Sequence, residues 1–213
     1  MTFKAWLLLL EGAWTTIWIS GISIVLGLTI GLIIAIVRRQ KIPIIDHLLA
    51  LYISLARATP LVTLVLFLFL SLPSIGINLN KHTAAIVALT LNTAAFNAEI
   101  WRSALENFSR DQREAAQAIG MTELTFFRYI MLPQIVTVSL PALVNEMSFL
   151  IKGSPAIAVI GLVDLTRVTN RIAAVTYDPL FPILGAGLIY MVMISVLVKA
   201  QSLAEKKARR LAV

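Results

Sequence analysis

Apolar residues fall along this chain in long runs rather than in amphipathic stripes. A helix that crosses a bilayer needs about 20 mostly apolar residues, and five stretches approach that length. Residues 14–37 carry no charge. Residues 48–72 are interrupted by Arg57 and Pro60. Residues 83–101 turn polar near their end, at Asn97 and Glu99. Residues 134–151 enclose Asn145 and Glu146, and residues 179–198 are unbroken. A sixth apolar stretch, 157–163, is too short to span and reads as a buried or interfacial turn of helix. The pattern predicts an all-α integral membrane protein with five transmembrane helices.

Composition agrees. Hydrophobic residues make up 59% of the 213 positions and charged ones 14%, against about 45–50% and about 25% in soluble domains. The absence of cysteine excludes a disulfide framework or thiolate metal site. His47 and His82, the two histidines, are far apart, so a histidine metal cluster is not expected.

The net charge of +7 comes from basic residues concentrated between apolar runs. Thirteen of the 18 fall on one set of loops: Arg38, Arg39, Lys41 and Arg57, then Arg102, Arg110, Arg113 and Arg128, then the C-terminal group from Lys199 to Arg210. The richer side faces the cytoplasm, which predicts an external N-terminus and an internal C-terminus. Trp14 and Trp18 then belong to the outer interface and Trp101 to the inner one. Nucleic-acid binding is excluded, because it requires a clustered basic face on a folded domain. Residues 1–10 pass into Glu11 and Gly12 rather than a small-residue cleavage site, so the N-terminus reads as retained. With no strong repeat or linker, residues 1–213 read as a single domain ending in a charged cap at 203–213.

The most specific chemistry lies in the polar stretch 102–133. Ser109 and Gln112 have capping-box spacing, Asp111 suits a first helical turn, and Gly120 suits a left-handed stop. A second short helix is expected from Thr122 to Leu132, with Pro133 at its boundary. Glu114-Ala115-Ala116, three residues, Gly120, nine residues, then Ile130-Met131-Leu132-Pro133 resembles the EAA loop of ABC importer permeases. Arg57-Ala58-Thr59-Pro60-Leu61 and Ala94-Ala95-Phe96-Asn97-Ala98-Glu99-Ile100 resemble motifs of the polar amino acid permeases, as do Gln134, Pro141 and Asn145. Ile151-Lys152-Gly153-Ser154 departs from the usual pattern of that family.

The resemblance implies a type I importer of the bacterial inner membrane. A second permease subunit, identical or different, pairs with this one. A dimer of ATP-binding subunits docks beneath, and an extracytoplasmic substrate-binding protein delivers a polar amino acid. It makes 102–133 the cytoplasmic coupling loop and Glu114, Ala115, Ala116 and Gly120 the coupling residues. No phosphate-cradling G-x-x-x-x-G-K-[ST] occurs in the chain. The expectation is therefore a non-enzymatic subunit without a cofactor of its own, with ATP and Mg²⁺ on the partner.

An ionisable group within a span is a functional candidate. Glu146 is the foremost, with Ser139 on the same helix face, Asn145 beside it and Pro141 freeing a carbonyl. Together they suit a polar pocket in which the carboxylate attracts a cationic side chain or α-ammonium and Lys152 meets an α-carboxylate. The alternative for Glu146 is a purely structural ion pair. Glu99 and Arg102 are expected to pair with each other, and Gly27 and Gly31 to mark close helix packing. The rival function is a self-sufficient secondary transporter or channel, which fits poorly because such proteins tend to carry internal repeats.

Overall fold

The computed structural model describes the backbone of residues 2–211 and the side chains of residues 2–206. The basic side chains of Lys207, Arg209 and Arg210, part of the expected charged cap, lie outside the described residues. All regular structure among the described residues is helical: α1 (Phe3–Arg39), α2 (Pro43–Ala58), α3 (Leu61–Leu66), α4 (Lys81–Glu106), α5 (Arg110–Ala118), α6 (Glu123–Phe126), α7 (Leu132–Gly153), α8 (Leu165–Thr176) and α9 (Leu180–Leu211). Four helical stretches among the described residues are long and apolar enough to cross a membrane, or five where the bent pair formed by α2 and the α3 segment counts as one span.

That pair corrects the sequence reading. The run 48–72 is not a straight span but bends by 110° between Pro43–Ala58 and Leu61–Ile75. Pro60 supplies no backbone N–H, and it pushes the preceding Thr59 into an extended conformation, φ −82 and ψ 127. Arg57, read as a loop residue, sits instead in the last turn of α2 with its guanidinium carbon 5.1 Å from the Phe96 ring centre of α4.

The centre of the fold is the crossing of α1 and α4. Helix α1 buries small residues on one face: Gly12, Thr16, Ser20, Ser23, Gly27, Gly31 and Ala35. Helix α4 answers with Ala84, Ala88, Thr93, Ala94, Asn97 and Ala98. In lipid, packing of close surfaces rather than hydrophobic expulsion drives helices together, and small residues permit the approach. A Cβ on Gly31 would stand 2.8 Å from Asn97 Cβ and 3.0 Å from the Ala94 carbonyl oxygen, and one on Gly27 would collide with Thr93 Cγ2. The predicted close packing at both glycines is present. Toward the N-terminus α8 takes over as the neighbour, where the Leu165 N–H donates to Thr16 Oγ1 at 3.2 Å.

Two other expectations are corrected. Trp101 is only 5% exposed, and its indole N–H donates to the Leu28 carbonyl at 3.3 Å, so it ties α4 to α1 rather than anchoring an interface. Pro133 does not end a helix. A π-helical turn over Phe127–Met131 shifts the hydrogen-bond register, with Leu132 N–H reaching Phe127 O, and Pro133 falls in the first turn of α7. Its missing N–H is thereby absorbed. Beyond α7, the stretch Ser154–Ile160 forms a short 3-10 helix with Ile157 fully buried, matching the non-spanning turn expected there.

Candidate translocation and coupling sites

The segment between α4 and α7 folds as two short helices about Gly120. Met121 N–H bonds to Ala116 O at 3.0 Å and Gly120 N–H to Gln117 O at 2.9 Å, the two bonds of a Schellman stop. Gly120 has φ +74, where any Cβ is strained. Thr122 then caps α6 by accepting from Thr125 N–H at 3.3 Å. Glu123 locks the two helices together, accepting from Arg113 at 3.0 Å and from Gln117 at 3.1 Å. The Ser109–Gln112 capping box is not formed: Ser109 stands at the N-cap, but its hydroxyl makes no capping bond. Gln112 instead accepts from Gln134 Nε2 at 2.9 Å, tying α5 to the start of α7.

Of the four residues assigned to coupling, Glu114, Ala115 and Gly120 are exposed, whereas Ala116 is buried against the body of the protein. Ile119 and Leu124 are 77% and 76% exposed. These two apolar side chains flank Gly120, and sequence reasoning passed over them. Their signal was two aliphatic residues in a stretch otherwise dominated by charge and alanine.

A charge network lies where α1, α2 and α4 meet. Arg38 bonds Asp46 at 2.8 Å and Glu99 at 2.9 Å, and Arg102 bonds Glu99 at 2.8 Å and Glu106 at 2.6 Å. The expected Glu99–Arg102 pair is thus part of a five-member chain that fixes the helix ends relative to one another.

The second constellation is buried between α4 and α7. Glu146 is 9% exposed. Thr93 Oγ1 donates to Glu146 Oε1 at 3.2 Å, and Asn97 Nδ2 donates to Thr93 Oγ1 at 3.3 Å. Ser139 is buried on the same face of α7, and neither its hydroxyl nor Asn97 Oδ1 has a partner among the described residues. Glu146 likewise has no basic partner among them. The structure thus brings Ser139 and Glu146 to one face, while Asn145 and Lys152 are exposed, Lys152 with its ammonium 5.6 Å from the Phe149 ring centre. Thr93 is the partner that sequence reasoning missed, although Thr93 and Asn97 are four apart in an alanine-rich span and share a face.

Beside this constellation, a cleft of about 550 Å³ lies between α4 and α7. Its walls include Arg57, Phe96, Glu99, Gln134, Val138 and Ser139. Its size suits a small molecule.

Residues 27–210 match the family model described as binding-protein-dependent transport system inner membrane component. The chain is 34% identical over 202 residues to the arginine transport system permease protein ArtQ of Bacillus subtilis (strain 168), covering 94% of this chain and 92% of the relative. It is 33% identical over 192 residues to the glutamine transport system permease protein GlnP of Escherichia coli (strain K12), covering 89% and 88%. A solved amino acid ABC transporter with histidines superposes with a TM-score of 0.85 at 34% identity, over 94% of each chain. An inward-facing methionine ABC transporter, MetNI, superposes at 0.82 over 98% of this chain and 99% of that one, with 19% identity, a likeness of fold.

Proposed function

The chain belongs to the family of binding-protein-dependent transport system inner membrane components, and from that premise we propose that it is the permease subunit of an ATP-driven importer of a polar amino acid, with cationic amino acids favoured. It is a multi-pass membrane protein of an amino acid ABC permease family. The observation that carries the finer reading is Glu146: a carboxylate inside a membrane-crossing helix, held by one neutral donor and no cation among the described residues. Such a group is expensive to retain unless it meets a positive ligand or a basic residue of another subunit.

In this reading Ser139 and Glu146 form the buried part of the substrate site, and Asn145 and Lys152 its exposed rim. A relative named for arginine supports a cationic substrate, whereas one named for glutamine favours a neutral one. The α5–α6 unit is the coupling element. Glu114, Ala115 and Gly120 present its surface to an ATP-binding subunit, and Ala116 holds that surface onto the body. Residues 1–213 act as one permease domain in the bacterial inner membrane, with the N-terminus outside and 102–133 in the cytoplasm. A second permease chain, a pair of ATP-binding subunits and an extracytoplasmic binding protein complete the assembly, and ATP with Mg²⁺ resides on the ATP-binding subunits.

Gentle purification of the tagged chain from its native membrane, followed by mass spectrometry, tests this assembly. Recovery with an ATPase that carries a phosphate-binding loop is the expected result. A chain that purifies alone and transports unaided would overturn it.

A further inference from the structure

Arg57 stands in the last turn of α2, just before the 110° bend between Pro43–Ala58 and Leu61–Ile75. Its guanidinium lies over Phe96, which is roughly 22 Å along α4 from the first residue of that helix. An arginine beside a membrane-crossing stretch is not left against hydrocarbon without large cost. Yet Arg57 is exposed in the isolated chain, so a polar path or another polar group must meet it. Two clefts do. One is the cavity of about 550 Å³ that it shares with Ser139 and Gln134. The other, about 520 Å³, lies between α2 and α4 and is shared with Ser54 and Glu99.

The charge of Arg57 is unspent. Its carboxylate neighbour Glu99 is already engaged by Arg38 and Arg102, and among the described residues no carboxylate lies within ion-pair distance of Arg57. Glu146 is the converse, a carboxylate without a cation among the described residues. The two are registered on α4: Thr93 holds Glu146 and Phe96 holds Arg57, about 4.5 Å apart along the helix axis. The residues of α4 that meet the two unneutralised groups are thus less than one helical turn apart, and Arg57 and Ser139 line the same cleft of small-molecule size.

We propose that Arg57 binds the α-carboxylate of the transported amino acid, with Glu146 taking a positive group at its other end; this rests on the amino acid reading above. The Arg57 side chain makes no ion pair among the described residues, so its guanidinium is available for a bidentate carboxylate contact, which a lysine cannot reproduce. Lys152, the other candidate for that carboxylate, lies about 15 Å farther along α7 than Ala142, which lines the cleft.

The test is equilibrium binding to the purified permease–ATPase complex in nanodiscs, without the binding protein. The probes are L-arginine, L-histidine, L-glutamine and the α-carboxamide of each. The wild-type complex is expected to bind at least one acid and to prefer it over its amide by about tenfold or more. Arg57→Gln is expected to weaken the acid about ten- to a hundredfold and leave the amide unchanged. Arg57→Lys weakens the acid less. A preference for acid over amide that survives Arg57→Gln, or that vanishes with Lys152→Gln, would overturn the assignment. So would an equal loss of acid and amide in Arg57→Gln. If Arg57→Gln does not assemble, Arg57→Lys decides: unchanged acid affinity overturns the proposal, and selective weakening of the acid supports it. A wild-type complex that binds none of the three acids would overturn the amino acid reading along with it.

Discussion

Thr93 of α4 donates its hydroxyl hydrogen to Glu146 Oε1 of α7 over 3.2 Å, and no other hydrogen bond reaches that carboxylate from the described residues. A single neutral donor leaves most of the acceptor capacity of a carboxylate unused. Glu146→Gln keeps the shape and removes the charge. The expected outcome is a fall of about tenfold or more in initial uptake of arginine or lysine, with glutamine uptake changed much less. An equal loss for all three would assign Glu146 to an ion pair with another subunit.

The proposed coupling unit, α5–α6, separates activity from stability. Glu114 is exposed and makes no bond within the chain among the described residues. Its truncation should change stability by no more than about 0.5 kcal/mol. Glu114→Ala is expected to insert and assemble normally while ATP hydrolysis no longer drives uptake, read as moles of amino acid per mole of ATP. Ile119→Asp should instead weaken association with the ATP-binding subunit, measured by subunit dissociation on size exclusion.

Gly31 tests the helix crossing. Because a Cβ there meets backbone as well as side chain, Gly31→Leu is expected to destabilise the chain by about 1–3 kcal/mol or more. Gly21, whose Cβ would meet nothing within 4 Å, is the control, and Gly21→Ala should leave the melting temperature nearly unchanged.

Asp164 gives a pH dependence. It is fully buried and caps α8, accepting from Thr166 N–H at 3.2 Å and Arg167 N–H at 2.9 Å. Burial raises its carboxyl above the ordinary 3.8, against the pull of those hydrogen bonds. A raised acid holds its proton more tightly when folded. Its contribution to stability is therefore full below the ordinary value and is lost as pH rises through the raised one. Melting curves of Asp164→Asn should lose that part of the decline between acid and neutral pH.

The sequence carried the helical, membrane-crossing architecture because lipid imposes long apolar runs, a signal that survives without tertiary context. Gly120 was legible for a similar reason, since a left-handed stop has local chemistry. The break at Pro60 was visible as a proline, but its 110° consequence depends on what α2 and α3 pack against. Ser109 met Gln112 in the expected spacing, yet Gln134 competed for the Gln112 side chain and won. Trp101 looked like an interfacial indole and is a buried one, because burial is a property of neighbours rather than of residue type. Ser139 and Glu146 were placed on one face by helical periodicity. Thr93 and Arg57 joined them only through the packing of α4 against α7 and α2, which no local pattern encodes.

The most direct measurement is uptake of labelled arginine, histidine and glutamine into proteoliposomes that contain the chain with its co-purified subunits and binding protein. The account predicts accumulation against a gradient only when ATP and Mg²⁺ are supplied on the side of the ATP-binding subunits, and none from the chain reconstituted alone. Accumulation by the chain alone, driven by a proton or sodium gradient and indifferent to ATP, would contradict it.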